Sequence, residues 1–269
     1  MKNRTFILLM MLMLALSACV PSVEHPNSQT DTGNSPTGVR VFADIALEDS
    51  LSEIAQNYKL IHPDSTVTLS FSNSKHLREL IEQGKSVDLF VSSIPAETTI
   101  LTNEGTILAA DTKTLATSRL VVAVPAGNPG KIQSAKDLSR PGMKLGIIAE
   151  TKPMGEQTRT ALANLNATYG AGYMDLVMAN VTATEEDAKA ILDKLKSGEL
   201  DACIVNSFEA VNQPDIAFVD FPAEANVHLT FDISILAKSK NYDEAGNFMN
   251  YVLSPEGLAV LTKWGFTVQ

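Results

Sequence analysis

The residues with the clearest chemical promise are Ser72-Asn73-Ser74, set between an alternating apolar run and an amphipathic one. Their short oxygen-bearing side chains suit the first turn of a helix, where backbone N–H groups lack partners. Lys75 and His76 follow at once. An isolated helix is better served by acids at those positions, so the pair either points into water or faces something negative. Ser72 and Lys75 also fit S-x-x-K, and Lys196-Ser197-Gly198 imitates K-T-G, two parts of a serine acyl-enzyme pattern. No S-D-N accompanies them, and Lys196-Ser197-Gly198 reads as the end of a helix. A serine–histidine triad fares no better: His62 precedes Pro63, His25 lies in a polar stretch, and His76 alone adjoins serines. Catalytic residues are therefore expected to be none, and the protein is not expected to be an enzyme. Cys203, in the apolar run Ala202 to Val205, reads as inert core.

These residues need a frame that brings chain junctions together. Val67, Leu69 and Phe71 alternate with polar neighbours and predict a strand. Leu77, Leu80 and Ile81 share a helix face after Ser74, Gly84 marks its stop, and Val87 to Val91 predicts a buried second strand. The junction then lies at the carboxyl end of a parallel sheet, where α/β folds bind ligands and helix N-termini favour anions. The same strand–helix pattern recurs: Val39 to Ala43 before the stripe Leu47, Leu51, Ile54, Tyr58; Lys144 to Ala149 before a helix opened by Pro153; and Leu200 to Val205, ending at Asn206. Ile100 to Leu108 predicts a short helix and turn, and Leu120 to Val124 a strand entering Pro125. Thr184 with Asp187 resembles a capping box for a helix through Leu195, closed by Gly198. Leu229 to Leu236 predicts a strand, and helices follow over Tyr242 to Leu253 and from Pro255 to Lys263, the latter after Ser254. Such alternation implies an α/β protein with two lobes, each a doubly wound, mostly parallel sheet with helices on both faces. No internal repeat is visible.

Residues 1–18 have the form of an export signal: Lys2 and Arg4 precede the apolar run Phe6 to Leu16, too short for a stable bilayer span. The run ends in Leu16-Ser17-Ala18-Cys19, which resembles the lipobox of bacterial lipoproteins, so Cys19 is expected to be the lipidated first residue of the mature chain. Residues 19–38 are rich in Pro, Ser, Thr, Asn and Gly and form an expected disordered tether. Without Lys2 and Arg4 the chain holds 19 basic residues against 31 acidic, a net charge near −12. That balance excludes nucleic acid as an expected partner, and any bound anion must be held by local dipoles. With Cys19 acylated, Cys203 is the remaining thiol, which excludes an internal disulfide and a Cys-built metal site.

The stretches VFADIALEDSLSEIAQNY, TLSFSNSKHLRELIEQGKSVDLFVSS, SGELDACIVNSFEA and YVLSPEGLAVLTKWGF give the chain a specific resemblance. In order and spacing it resembles the molybdate-binding proteins of bacterial ABC transporters from about Val39 to Phe266. The resemblance implies the type II periplasmic binding-protein fold: lobe one over residues 39–118 plus 229–269, lobe two over 119–228, and a ligand cleft between them. It implies a small tetrahedral oxyanion, molybdate or tungstate, held by hydrogen bonds with no metal and no cofactor. The partners it implies are a membrane permease, and the membrane itself through Cys19, for a monomer.

Carried over by position, the implied ligand-binding residues are Asp44, Ala46, Ser74, Met154, Ala188 and Asn206. Ser74 keeps a family hydroxyl. Ala46 replaces a serine and keeps the backbone N–H, while Met154 and Ala188 would also serve through the backbone. Asn206 stands for a tyrosine. Asp44 stands where the family has alanine, and two orientations are open for it. Facing outward, it leaves molybdate or tungstate as the ligand; facing the cleft, it would repel a fully deprotonated oxyanion and call for a ligand with a proton or a positive group. A protonated oxyanion, a small organic acid, or a sensory or interaction lipoprotein without transport are the alternatives.

Overall fold

A computed structural model describes residues 38–268. The expected signal segment, Cys19 and all of the tether but Gly38 lie outside the described residues.

The chain begins with strand Gly38–Asp44 (β1), a 3-10 turn Ile45–Leu47 and helix Glu48–Ile61 (α1), then Thr66–Ser72 (β2), Ser74–Glu82 (α2), Leu89–Ser92 (β3) and Pro95–Asn103 (α3). A 19-residue strand, Ile107–Pro125 (β4), leads to Leu145–Ile148 (β5), Pro153–Tyr169 (α4), Tyr173–Met178 (α5), Val181–Glu185 (β6), Ala188–Lys196 (α6), Ala202–Asn206 (β7) and the short Ser207–Ala210 (α7). Ile216–Asp220 (β8), His228–Leu236 (β9), Tyr242–Val252 (α8) and Pro255–Lys263 (α9) complete it.

The strands order as β2-β1-β3-β9-β4-β7-β5-β6, with β8 also on β4. Both flanks are parallel, β1 between β2 and β3, and β5 between β6 and β7. The middle is antiparallel, because β9 runs against β3 and β4, and β4 runs against β7 and β8. The α/β class is the expected one, and the antiparallel centre is where strands meet without a crossover helix to carry the chain back. Along β4, residues up to Arg119 pair with β9 and those from Leu120 pair with β7 and β8. One strand thus serves two groups of elements.

Apolar side chains collect accordingly. Val41, Leu51, Ile54, Phe231, Phe248 and Leu261 lie in one buried cluster under α1, α8 and α9, while Leu120, Leu145, Leu162, Leu165, Tyr173 and Ile204 lie in another under α4 and α5. Burial of such side chains contributes about 1.5–3 kcal/mol each before conformational entropy is subtracted. Local signals place several boundaries: Pro153 is the first residue of α4, and the Ser254 hydroxyl accepts the Gly257 N–H at 3.3 Å to open α9. Gly198, at φ 80°, follows the end of α6 as expected of Lys196-Ser197-Gly198.

Two expectations need correction. Thr184 lies within β6 and does not cap α6; Asp187 caps it, accepting from the Ala190 N–H at 2.8 Å. The stretch Ile100 to Leu108 is the end of a longer helix, α3, and the start of β4. The short elements α5, β6, α7 and β8 were not among the expected ones, since none carries more than six residues of pattern.

Candidate functional site

Three strand ends converge where β1, β2 and β3 lie side by side, with Asp44 in register with Ser72 and Val91 with Ala43. Parallel pairing forces this, because it puts each carboxyl end, and the helix that follows, on the same edge. Asp44 ends β1 and is turned inward, 6% exposed. Of the two orientations open from sequence, the outward one is overturned.

The carboxylate of Asp44 collects four donors. Its Oδ1 accepts the Ala46 N–H at 3.1 Å, and its Oδ2 accepts the Ser74 N–H at 3.2 Å, the Ser74 hydroxyl at 2.5 Å and the Ser93 hydroxyl at 2.8 Å. The Ser93 N–H in turn donates to Ser74 Oγ at 3.0 Å. Charged acceptors make the stronger hydrogen bonds, so this cluster stiffens the strand ends against one another. Ser74 is fully buried, and Asn73 caps α2 beside it by accepting the His76 N–H at 2.9 Å. Lys75 and His76 are exposed and point into water.

Ser93 was missed from sequence. Its signal was the pair Ser92-Ser93 at the tip of a buried strand, the same kind of junction as Ser72 to Ser74.

Met154 and Ala188 sit in the first turns of α4 and α6, where backbone N–H groups lie outside the helix's own ladder. Both side chains pack against apolar clusters. Asn206 ends β7, is 2% exposed, and its Oδ1 has no hydrogen-bond partner. Among the described residues, no hydrogen bond joins Met154, Ala188 or Asn206 to the Asp44 cluster. The structure therefore brings Asp44, Ala46 and Ser74 together and leaves the other three at separate junctions, Met154 and Ala188 at helix starts and Asn206 at a strand end.

A cavity of about 580 Å³ connects part of both sets. Ile45, Ala46, Asp49 and Trp264 line it together with Ala188, Lys189, Phe208 and Glu209. Glu209 shows part of its surface to this cavity, yet its carboxyl is set deep in protein, and desolvation pushes its pKa up to about 8. The nearby Asp187 charge adds to the rise, against the Asn206 N–H that donates to Glu209 Oε2 at 3.0 Å. Burial likewise pushes the Cys203 thiol up, as inert core requires. Among the described residues no cluster of three or more His, Cys, Asp or Glu could hold a metal ion, and no helix is long and apolar enough to cross a membrane.

At these strand ends hydroxyls and N–H groups gather on one carboxylate. The family of bacterial extracellular solute-binding proteins matches residues 39–267. The chain belongs to that family. A molybdate-binding protein, ModA, of Mycobacterium tuberculosis is 28% identical over 95% of this chain and 94% of its own. A putative ABC transporter substrate-binding lipoprotein, YvgL, of Bacillus subtilis is 26% identical over 90% of each chain. The substrate-binding domain of a putative molybdenum ABC transporter from Clostridium difficile superposes with a TM-score of 0.78 at 24% identity, over 86% of this chain and 99% of that one. The solute-binding family carries the expected resemblance, and its members bind solutes; they are not enzymes.

Proposed function

We propose that this chain is the capture protein of an ABC transporter, lipid-anchored at Cys19, that binds a small tetrahedral oxyanion between two lobes and hands it to a membrane permease. One observation carries the reading: Ala46, Ser74 and Ser93, from three separate junctions, aim four donors at one carboxylate. Donors so arranged hold a negatively charged oxygen group at this sheet edge by hydrogen bonds alone, without metal or cofactor. Molybdate is named for one relative and molybdenum for another, and tungstate, a dianion of the same shape, is proposed beside it. The lobes are residues 39–118 plus 229–269 and residues 119–228, joined along β4 and β9, and their closure on ligand is the signal for the permease. Across the cleft, the backbone N–H groups of Met154 and Ala188 and the amide of Asn206 complete the ligand's shell. The Bacillus subtilis relative is a putative lipoprotein, which supports the anchor at Cys19.

A second ligand is favoured by Asp44 itself. Because a carboxylate already sits at the donors, an oxyanion that retains a proton, or a small organic acid, fits beside it better than a bare dianion. Calorimetric titration of the wild-type protein with molybdate, tungstate, sulfate and phosphate tests the function. Binding of at least one of them at one site per chain is expected, and four flat titrations would refute oxyanion capture.

A further inference from the structure

Counting hydrogens at the first lobe's half of the site shows that none is spare. Ser74 has one hydroxyl hydrogen and gives it to Asp44 Oδ2; the Ser93 hydroxyl, the Ser74 N–H and the Ala46 N–H also end on the same carboxylate. The Ser93 N–H is taken by Ser74 Oγ. An ionised carboxylate offers about four lone-pair sites. Three of the four donors crowd onto Oδ2 and one reaches Oδ1, so an incoming oxyanion would find every donor engaged while Oδ1 keeps room for one more.

Burial fixes the arrangement. Ser74 is fully buried and Asp44 nearly so, and the chain separation between them, 30 residues, with 49 from Asp44 to Ser93, means that three elements are held by this one group. Rotating Asp44 away would strand buried donors and bring a carboxylate into apolar surroundings, including the cluster that contains Val91 and Leu47. Leaving it in place sets a negative charge against any dianion placed at the strand ends.

Resting on the oxyanion reading above, we propose that Asp44 is a resident anion: a side chain that occupies the first-lobe half of the oxyanion site and excludes fully deprotonated oxyanions from it. The ligand class that remains is the oxyanion bearing a proton, whose O–H can donate to Asp44 Oδ1, the oxygen with a single donor of its own. Inorganic phosphate is triprotic and keeps at least one proton near neutral pH, whereas sulfate, molybdate and tungstate keep none.

The test compares wild type with Asp44→Ala in calorimetry and thermal melts at pH 7. Wild type should bind phosphate more tightly than molybdate. Asp44→Ala should gain tenfold or more for molybdate and tungstate and lose tenfold or more for phosphate. Without ligand the variant should melt lower than wild type, because its donors are stranded, and molybdate should raise its melting temperature by more than that of wild type. Equal molybdate affinity in the two proteins, or a loss in the variant, would overturn the proposal while leaving oxyanion capture standing. No binding of any of the four anions by either protein would instead remove the oxyanion reading beneath it. Should Asp44→Ala fail to fold, Asp44→Asn keeps the shape without the charge; tighter molybdate binding than wild type is expected of it, and unchanged binding overturns the proposal.

Discussion

Ser74 and Glu209 are the two side chains whose surroundings lead to measurable consequences one residue at a time. The Ser74 hydroxyl both donates to Asp44 and accepts from Ser93, so Ser74→Ala breaks two bonds inside a buried cluster. A loss of about 1–3 kcal/mol in unfolding free energy is expected, read by urea denaturation. Met154→Ala should leave the oxyanion affinity unchanged, because its proposed part belongs to the backbone; a tenfold loss of affinity would assign that part to the side chain. For Glu209 the sign runs with its raised pKa. Folding holds a proton on Glu209 up to about pH 8 that the unfolded chain releases near its ordinary value of 4.5, so stability falls as pH rises through that window. Glu209→Gln removes the penalty. The variant should match wild type near pH 4 and exceed it by a growing margin up to pH 8, in melts taken across that range; a constant difference would contradict the burial of the charge.

At the scale of elements, the junctions depend on close backbone approaches. A Cβ on Gly155 would stand 1.9 Å from the Ala149 carbonyl oxygen, so the start of α4 could not stay packed on the end of β5. Gly155→Ala should cost about 3 kcal/mol by denaturant unfolding. Gly246, inside α8, has only Ile235 Cδ1 at 3.9 Å, and Gly246→Ala should stabilise by about 0.5–1 kcal/mol through helix propensity alone. Similar losses at both glycines would mean that the close approach is not what distinguishes them. Elements like these were legible where the signal is local: the alternation Val67, Leu69, Phe71, the leading Pro153 and the cap at Ser254 each sit within a few residues of what they determine. The inward turn of Asp44 and the part played by Ser93 were not legible, because they are set by partners 30 and 49 residues away. The four-residue α7 and five-residue β8 were hidden for a different reason, being too short to show a period.

For the whole molecule, β4 and β9 are the proposed hinge, since β4 pairs with β9 on one side of Arg119 and with β7 and β8 on the other. Limited proteolysis should cut the tether, residues 19–38, before either crossing near Arg119 or His228; a stable fragment ending near Ser118 would contradict the two-lobe division. Cys19→Ala should move the protein from the membrane fraction to the soluble one with oxyanion binding intact, and unchanged membrane association would remove the anchor from the account. The most direct test of capture is native mass spectrometry of the protein as isolated from its own cells, at neutral pH and without added anions. One small oxyanion per chain is the expected result. A bound sugar, peptide or amino acid in its place would contradict oxyanion capture.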